Sequence, residues 1–152
     1  MPQLSTSRRV RHAASEMFDL VADIERYQEF VPLCQSLRVR KRTELAGKDV
    51  IVADMTVAYK MIHETFTSRV TLDRANLEIL VEYLEGPFRH LNNRWKFRPV
   101  AERVCDVEFF IAYEFRSRAL GMLMGSVFEA AFRRFAAAFE RRADQVYGTR
   151  AA

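Results

Sequence analysis

Cys105-Asp-Val-Glu-Phe-Phe-Ile-Ala-Tyr-Glu-Phe115 and, three residues on, Ala119-Leu-Gly-Met-Leu-Met-Gly-Ser-Val-Phe128 meet where one periodicity gives way to another. In the first stretch Cys105, Val107, Phe109, Ile111, Tyr113 and Phe115 alternate with Asp106, Glu108, Phe110, Ala112 and Glu114. That period of two is the mark of a strand with one covered face. In the second, Leu120, Leu123, Met124, Val127 and Phe128 begin a series continued by Ala131, Phe135, Ala138 and Phe139. This is the i, i+3, i+4, i+7 spacing of an amphipathic helix. Glu129, Arg133, Glu140 and Arg141 occupy its other side. No Pro or Gly interrupts Ser126 to Tyr147, and the spacing predicts a helix of roughly 26 residues, about 40 Å long. Such a helix must bury its stripe, and the apolar face of a sheet is the partner at hand.

Upstream the period of two recurs. Leu37 and Val39 alternate with Arg38 and Arg40; Ile51, Ala53, Met55, Val57 and Tyr59 form one face after the turn Ala46-Gly-Lys-Asp49. Ile62, Phe66, Val70 and Leu72 form the next, then Leu77, Ile79, Val81 and Tyr83 after Asp73-Arg-Ala-Asn76. Gly86-Pro87 breaks the run, and Asn93, Trp95 and Phe97 follow up to Pro99. Short turns between such strands predict an antiparallel meander. Gln3 to His12 reads as a first strand and Ala13 to Ala22 as a helix. Asp23 is placed to cap a second short helix that Pro32 ends. The expected fold is α+β: a curved antiparallel sheet wrapped around a long C-terminal helix, with an internal hydrophobic cavity where sheet and helix do not pack flush.

The 152 residues suit a single domain, 1–152, with 49% apolar and 29% charged residues excluding a disordered chain. The net charge of +4 sits on residues 116–152, where seven Arg face Glu129, Glu140 and Asp144; before that, seventeen basic residues balance seventeen acidic ones. Arg133, Arg134, Arg141 and Arg142 are the candidate contacts to anionic lipid or RNA, against the plainer reading of a solvated helix face. Arg38, Arg40 and Arg42 alternate onto one outward face that reads as solvated. Met1 to Arg11 lacks the apolar run of a secretory signal, and no stretch approaches the length of a transmembrane helix. A cytoplasmic location is expected, with peripheral contact to the inner face of the cytoplasmic membrane as an option.

Enzyme chemistry finds no footing. The five glycines never cluster into a phosphate loop, and His12, His63 and His90 stand apart without ligand spacing. Cys34 and Cys105 read as reduced core residues. Glu64 shares a predicted face with Phe66 and Val70, either as an inward carboxylate or through an error of register. No catalytic or metal-binding residue is assigned and no cofactor is required. Twelve Phe, five Tyr and one Trp are a surplus that either fills a core or walls a cavity. On the second reading the hydroxyls of Tyr59, Tyr83 and Tyr113 await a polar ligand head group beside Trp95.

Four segments stand in order: Tyr27-x-x-Phe-Val-Pro-x-Cys34; Phe66-Thr-Ser-Arg-Val70; Gly86-Pro-Phe-Arg-His-Leu91 leading to Trp95-x-Phe97; and Val107-Glu-Phe-Phe-Ile-x-Tyr-Glu-Phe115. Together they resemble the coenzyme Q-binding branch of the START-like polyketide cyclase/dehydrase superfamily, whose bacterial members are often named ribosome-association toxin (RatA) proteins. The resemblance spans roughly residues 3–147 and departs where Gln28, not Pro, follows Tyr27. It implies a helix-grip (START/Bet v 1-like) fold and non-catalytic binding of ubiquinone in a tunnel, in support of respiration. The alternative it implies is binding to the large ribosomal subunit that blocks subunit association. Phe66, Val70, Pro87, Phe88, Leu91 and Trp95 match family positions that line or close the tunnel. Met55, Val57, Tyr59, Tyr83, Phe109, Ile111, Tyr113, Leu123, Val127 and Phe128 complete the expected wall from their places on the apolar faces. The partners expected are a quinone or other lipid, the membrane surface or the large subunit, and no DNA.

Overall fold

The computed structural model describes residues 3–148; Arg150, counted in the basic segment, lies outside them. β1 (Gln3–Val10) leads into α1 (Ala14–Ala22) and a 3-10 segment (Ile24–Glu29). Six strands follow: β2 (Cys34–Leu45), β3 (Lys48–Tyr59), β4 (Ile62–Asp73), β5 (Glu78–Glu85), β6 (Phe88–Ala101) and β7 (Val104–Phe115), and then α2 (Arg118–Tyr147). All strand pairs are antiparallel, in the order β1-β7-β6-β5-β4-β3-β2. The meander needs only hairpin turns, and β1 closes the far edge against β7. This is the α+β helix grip expected from the sequence.

The alternation assigned the concave face correctly. Ile51, Ala53 and Val57 on β3, Val70 and Leu72 on β4, and Trp95 and Phe97 on β6 are all buried, as are Cys105 to Tyr113 at every second position of β7. Register shifts interrupt the ladders at Cys34/Ser36, Val39/Lys41, Thr67/Ser68, Phe88/His90 and Pro99/Ala101. Each extra residue bends its strand, so the sheet curls around α2. The shift at Arg40 also corrects the expected Arg strip. Beyond it Arg42 pairs with Ile51, which is on the concave side, and its guanidinium meets Glu25 of the 3-10 segment. Arg40 binds Asp54 at 2.7 Å.

Two helix boundaries differ from expectation. The second short helix is a 3-10 segment, and Asp23 makes no side-chain cap. α2 has 30 residues and begins at Arg118, capped where Leu120 N–H donates to Ser117 Oγ at 3.1 Å. Gly121 and Gly125 lie inside it, a helix-propensity cost that burial of Met124 and Phe128 outweighs. β6 likewise runs through Pro99, whose partner Cys105 sits at a bulge where a missing N–H is tolerated.

Candidate functional site

Between α2 and the sheet lies a cavity of about 110 Å³. Its floor is built from every second residue of the central strands: Ala53, Met55 and Val57; Phe66, Ser68 and Val70; Ile79 and Val81; Leu91, Asn93 and Trp95; and Ile111. Successive turns of α2 roof it with Phe128, Ala131, Phe132, Phe135 and Phe139. Ile24 and Tyr27 of the 3-10 segment, the loop Val31-Pro-Leu33 and Leu37 of β2 form the side wall. Pro32, Leu33, Leu37 and Met55 on the β2–β3 side are half-buried, as are Tyr27, Phe66, Val81 and Phe135.

The wall carries no carboxylate, imidazole, thiol or cation. Its polar groups are Tyr27, Asn93, Ser68 and the Trp95 indole N–H. The Tyr27 hydroxyl donates to the Val21 carbonyl, and burial drives this phenol far above its ordinary range, with Cys34 and Asp23 adding to the effect. Asn93 Nδ2 donates to the Phe110 carbonyl at 2.8 Å. Ser68 Oγ is buried without a partner. Phe139 locks the roof to the side wall, edge-on to Tyr27 at 5.3 Å, Phe30 at 5.0 Å and Trp95 at 5.0 Å. Such packing fixes the shape of the space.

The structure brings Met55, Val57, Phe66, Val70, Leu91, Trp95, Ile111 and Phe128 together on this wall. The other expected wall residues lie elsewhere. Phe88 is fully buried in an aromatic plug, stacked on Phe115 at 4.8 Å and edge-on to Phe66 at 5.5 Å. Tyr83 is not on the wall; its Oη accepts a hydrogen bond from Phe88 N–H at 3.0 Å and so braces the Gly86-Pro87 turn. Pro87 stays in that turn, its carbonyl held by Arg116 N–H at 2.9 Å. Phe109 is screened by Trp95 at 4.8 Å and Phe135 at 5.8 Å, and Tyr113 by Phe132 at 5.2 Å. Burial, helped by Glu129, raises the Tyr113 phenol. Tyr59 sits at the end of β3 under the Lys60 ammonium. Leu123 is 64% exposed and Val127 half-buried, because the buried stripe of α2 runs through Met124, Phe128, Ala131 and Phe132.

Sequence reasoning assigned no site role to Tyr27, Val31, Pro32 and Leu33, although the first of the four family segments contains them. Its aromatic and Pro residues were the available signal. Glu64 does share the inner-face positions of β4 with Phe66 and Ser68, half-buried and outside the cavity wall. Of the candidate surface residues, Arg133 pairs with Glu129 at 3.0 Å and Arg142 with Glu29 at 2.5 Å. Arg134 and Arg141 are exposed and make no ion pair among the described residues. With Arg142, Phe30 and Pro32 they border a groove on the outside of the cavity's side wall.

A family model described as polyketide cyclase/dehydrase and lipid transport matches residues 10–140. The chain belongs to that family. It is 34% identical to the ribosome association toxin RatA of Escherichia coli K12, over 99% of this chain and 92% of that protein. It is 27% identical to a mitochondrial coenzyme Q-binding protein, the COQ10 homolog B of Xenopus laevis, over 96% of this chain and 59% of the relative. These are the two namesakes of the branch that the four segments resemble. An 18 kDa protein from Caulobacter crescentus, 30% identical, superposes with a TM-score of 0.79, covering 98% of this chain and 100% of that one. The Zhui aromatase/cyclase from Streptomyces superposes equally well at 0.79, with 95% and 94% covered, and at 18% identity that likeness is one of fold.

Proposed function

We propose that this chain binds a hydrophobic ligand without transforming it, and that the ligand is an isoprenoid quinone of the ubiquinone class. The observation that carries the proposal is the cavity between α2 and the sheet with its almost wholly apolar wall. An apolar space bounded by aromatic rings and lacking acid–base groups suits a ligand that is sheltered, not converted. The Xenopus relative's name supports the choice of quinone. A cavity of about 110 Å³ is of the order that accepts one six-membered ring. The prenyl chain then leaves across the half-buried rim at Pro32, Leu33 and Met55. No helix among the described residues is long and apolar enough to cross a membrane, and the proposed setting is the cytoplasmic side of the inner membrane, touched peripherally. Native mass spectrometry of the purified protein tests this reading: a mass increment matching a quinone is expected, and a protein that neither retains nor takes up quinone overturns it.

A second reading rests on a separate observation. Arg134 and Arg141, unpaired on the exposed side of α2 among the described residues, offer two guanidiniums to phosphate, and the Escherichia coli relative is named for ribosome association. On this reading the chain binds the large ribosomal subunit and blocks subunit joining. Salt-sensitive co-sedimentation with large subunits supports it, and its absence at low salt removes it.

A further inference from the structure

Among the described residues two buried side-chain polar atoms lack a hydrogen-bond partner, His12 Nδ1 and Ser68 Oγ. His12 does not line the cavity, and its other nitrogen meets Asp144 at 2.7 Å. Ser68 lies on the wall itself. It is 6% exposed, on the concave face of β4 between Phe66 and Val70, facing Ala53 of β3 and Tyr83 of β5. The Tyr83 hydroxyl accepts the Phe88 N–H and makes no hydrogen bond to Ser68. Elsewhere on the wall, the Tyr27 hydroxyl donates to the Val21 carbonyl and Asn93 Nδ2 to the Phe110 carbonyl.

A hydroxyl buried without a partner costs stability, and an Ala or Val would pack the same position without that cost. A serine here makes sense when the empty protein is not the working state. Resting on the quinone reading above, we infer that Ser68 donates a hydrogen bond to an oxygen on the ligand's ring and so fixes its direction, ring inward and chain outward. Size supports the same direction, since the cavity takes about one ring and its rim is apolar. The hydroxyl can also accept, so a hydroquinone would be held at the same point by the opposite hydrogen-bond sense.

Trp95 is the chain's sole Trp and lines the cavity, so its fluorescence reports occupancy directly. Wild type, Ser68→Ala and Ser68→Thr are titrated with decylubiquinone and with decylbenzene, a ring and chain without an oxygen. Loss of one hydrogen bond predicts that Ser68→Ala binds decylubiquinone about three- to tenfold more weakly. Decylbenzene affinity should not change, Ser68→Thr should restore quinone binding, and the ligand-free Ser68→Ala protein should melt no lower than wild type. Equal decylubiquinone affinity in wild type and Ser68→Ala overturns the role of Ser68 while leaving the quinone reading standing. So does an equal loss of both probes, which would mark a packing role. If wild type binds no decylubiquinone, the quinone reading falls and this inference falls with it.

Discussion

Gly86 carries φ +144°, and a Cβ added to it would stand 2.6 Å from Phe66 Cβ and 2.9 Å from Phe66 Cα. Both the backbone angle and the contact with β4 exclude a side chain. Gly86→Ala should cost about 2–4 kcal/mol in urea unfolding and, by displacing Phe66, weaken ligand binding as well. The turn was legible in the sequence as Gly-Pro, but its reason, a close approach to a strand 20 residues earlier, was not. The cysteines were fully legible as core. Burial pushes Cys34 up to about 11 and Cys105, with help from Asp106 and Glu16, to about 11. At pH 8 both should resist thiol reagents until the protein opens, so labelling rates should track unfolding. Asp54, like Glu29, Asp73 and Asp106, has a carboxyl held below its ordinary range. Burial would raise its carboxyl, yet hydrogen bonds from Thr67 at 2.6 Å and Arg40 at 2.7 Å outweigh it and hold the value below the ordinary range. A depressed carboxyl contributes stability above its unfolded value, near 4, and loses it as pH falls through the folded value. Thr67→Val should therefore cost about 1 kcal/mol at pH 7, with the difference shrinking in acid, as measured by unfolding at pH 7 and at pH 3.

α2 is held unevenly along its length. Near its C-terminal end, Arg8 meets Glu140 at 2.7 Å, His12 meets Asp144 at 2.7 Å, and Tyr147 Oη donates to the Glu16 carbonyl at 3.1 Å. These tie the helix to β1 and α1. Its first turns instead expose Met122 (81%) and Leu123 (64%) and contain Gly121 and Gly125. Entry of a ligand under the helix is easiest where it is held least. A Cβ added to Gly125 would meet nothing within 4 Å, so Gly125→Ala should stabilise by about 0.5–1 kcal/mol and slow hydrogen exchange over residues 118–128. If the first turns gate the cavity, quinone uptake should slow in the same variant. The period of α2 was legible because nine apolar positions repeat it, whereas its start was obscured by the two glycines. Leu123 was misplaced for a related reason: it satisfies the spacing with Leu120 and Val127, but the buried stripe runs through Met124 and Phe128. Arg42 was misplaced by a bulge, and one extra residue in a strand leaves no mark in alternation of charged with polar side chains.

At the scale of the molecule, the half of the site made by the sheet could be read from alternation and the half made by the first loop could not. Strand faces follow a period; Tyr27, Val31, Pro32 and Leu33 are brought to the cavity by a 3-10 segment and a loop that have none. The same loop joins the two readings of function, because Pro32 faces the cavity on one side and the Arg134–Arg141–Arg142 groove on the other. The basic surface and the apolar site are thus neighbours but share no charged group, and they can be separated by substitution. In Arg134→Glu/Arg141→Glu both exposed cations are reversed without touching a wall residue or any ion pair among the described residues. Two guanidiniums on phosphate imply a salt slope of about −1.5 on a log–log plot, or roughly tenfold weaker binding between 50 and 200 mM salt. If α2 contacts ribosomal RNA, wild type should show that slope in co-sedimentation with large subunits and the double variant should lose binding, while its decylubiquinone titration at Trp95 stays unchanged. Arg133→Glu should do less than either single reversal, since Arg133 already answers Glu129. Binding to large subunits that ignores both salt and charge reversal would place the ribosomal contact away from α2.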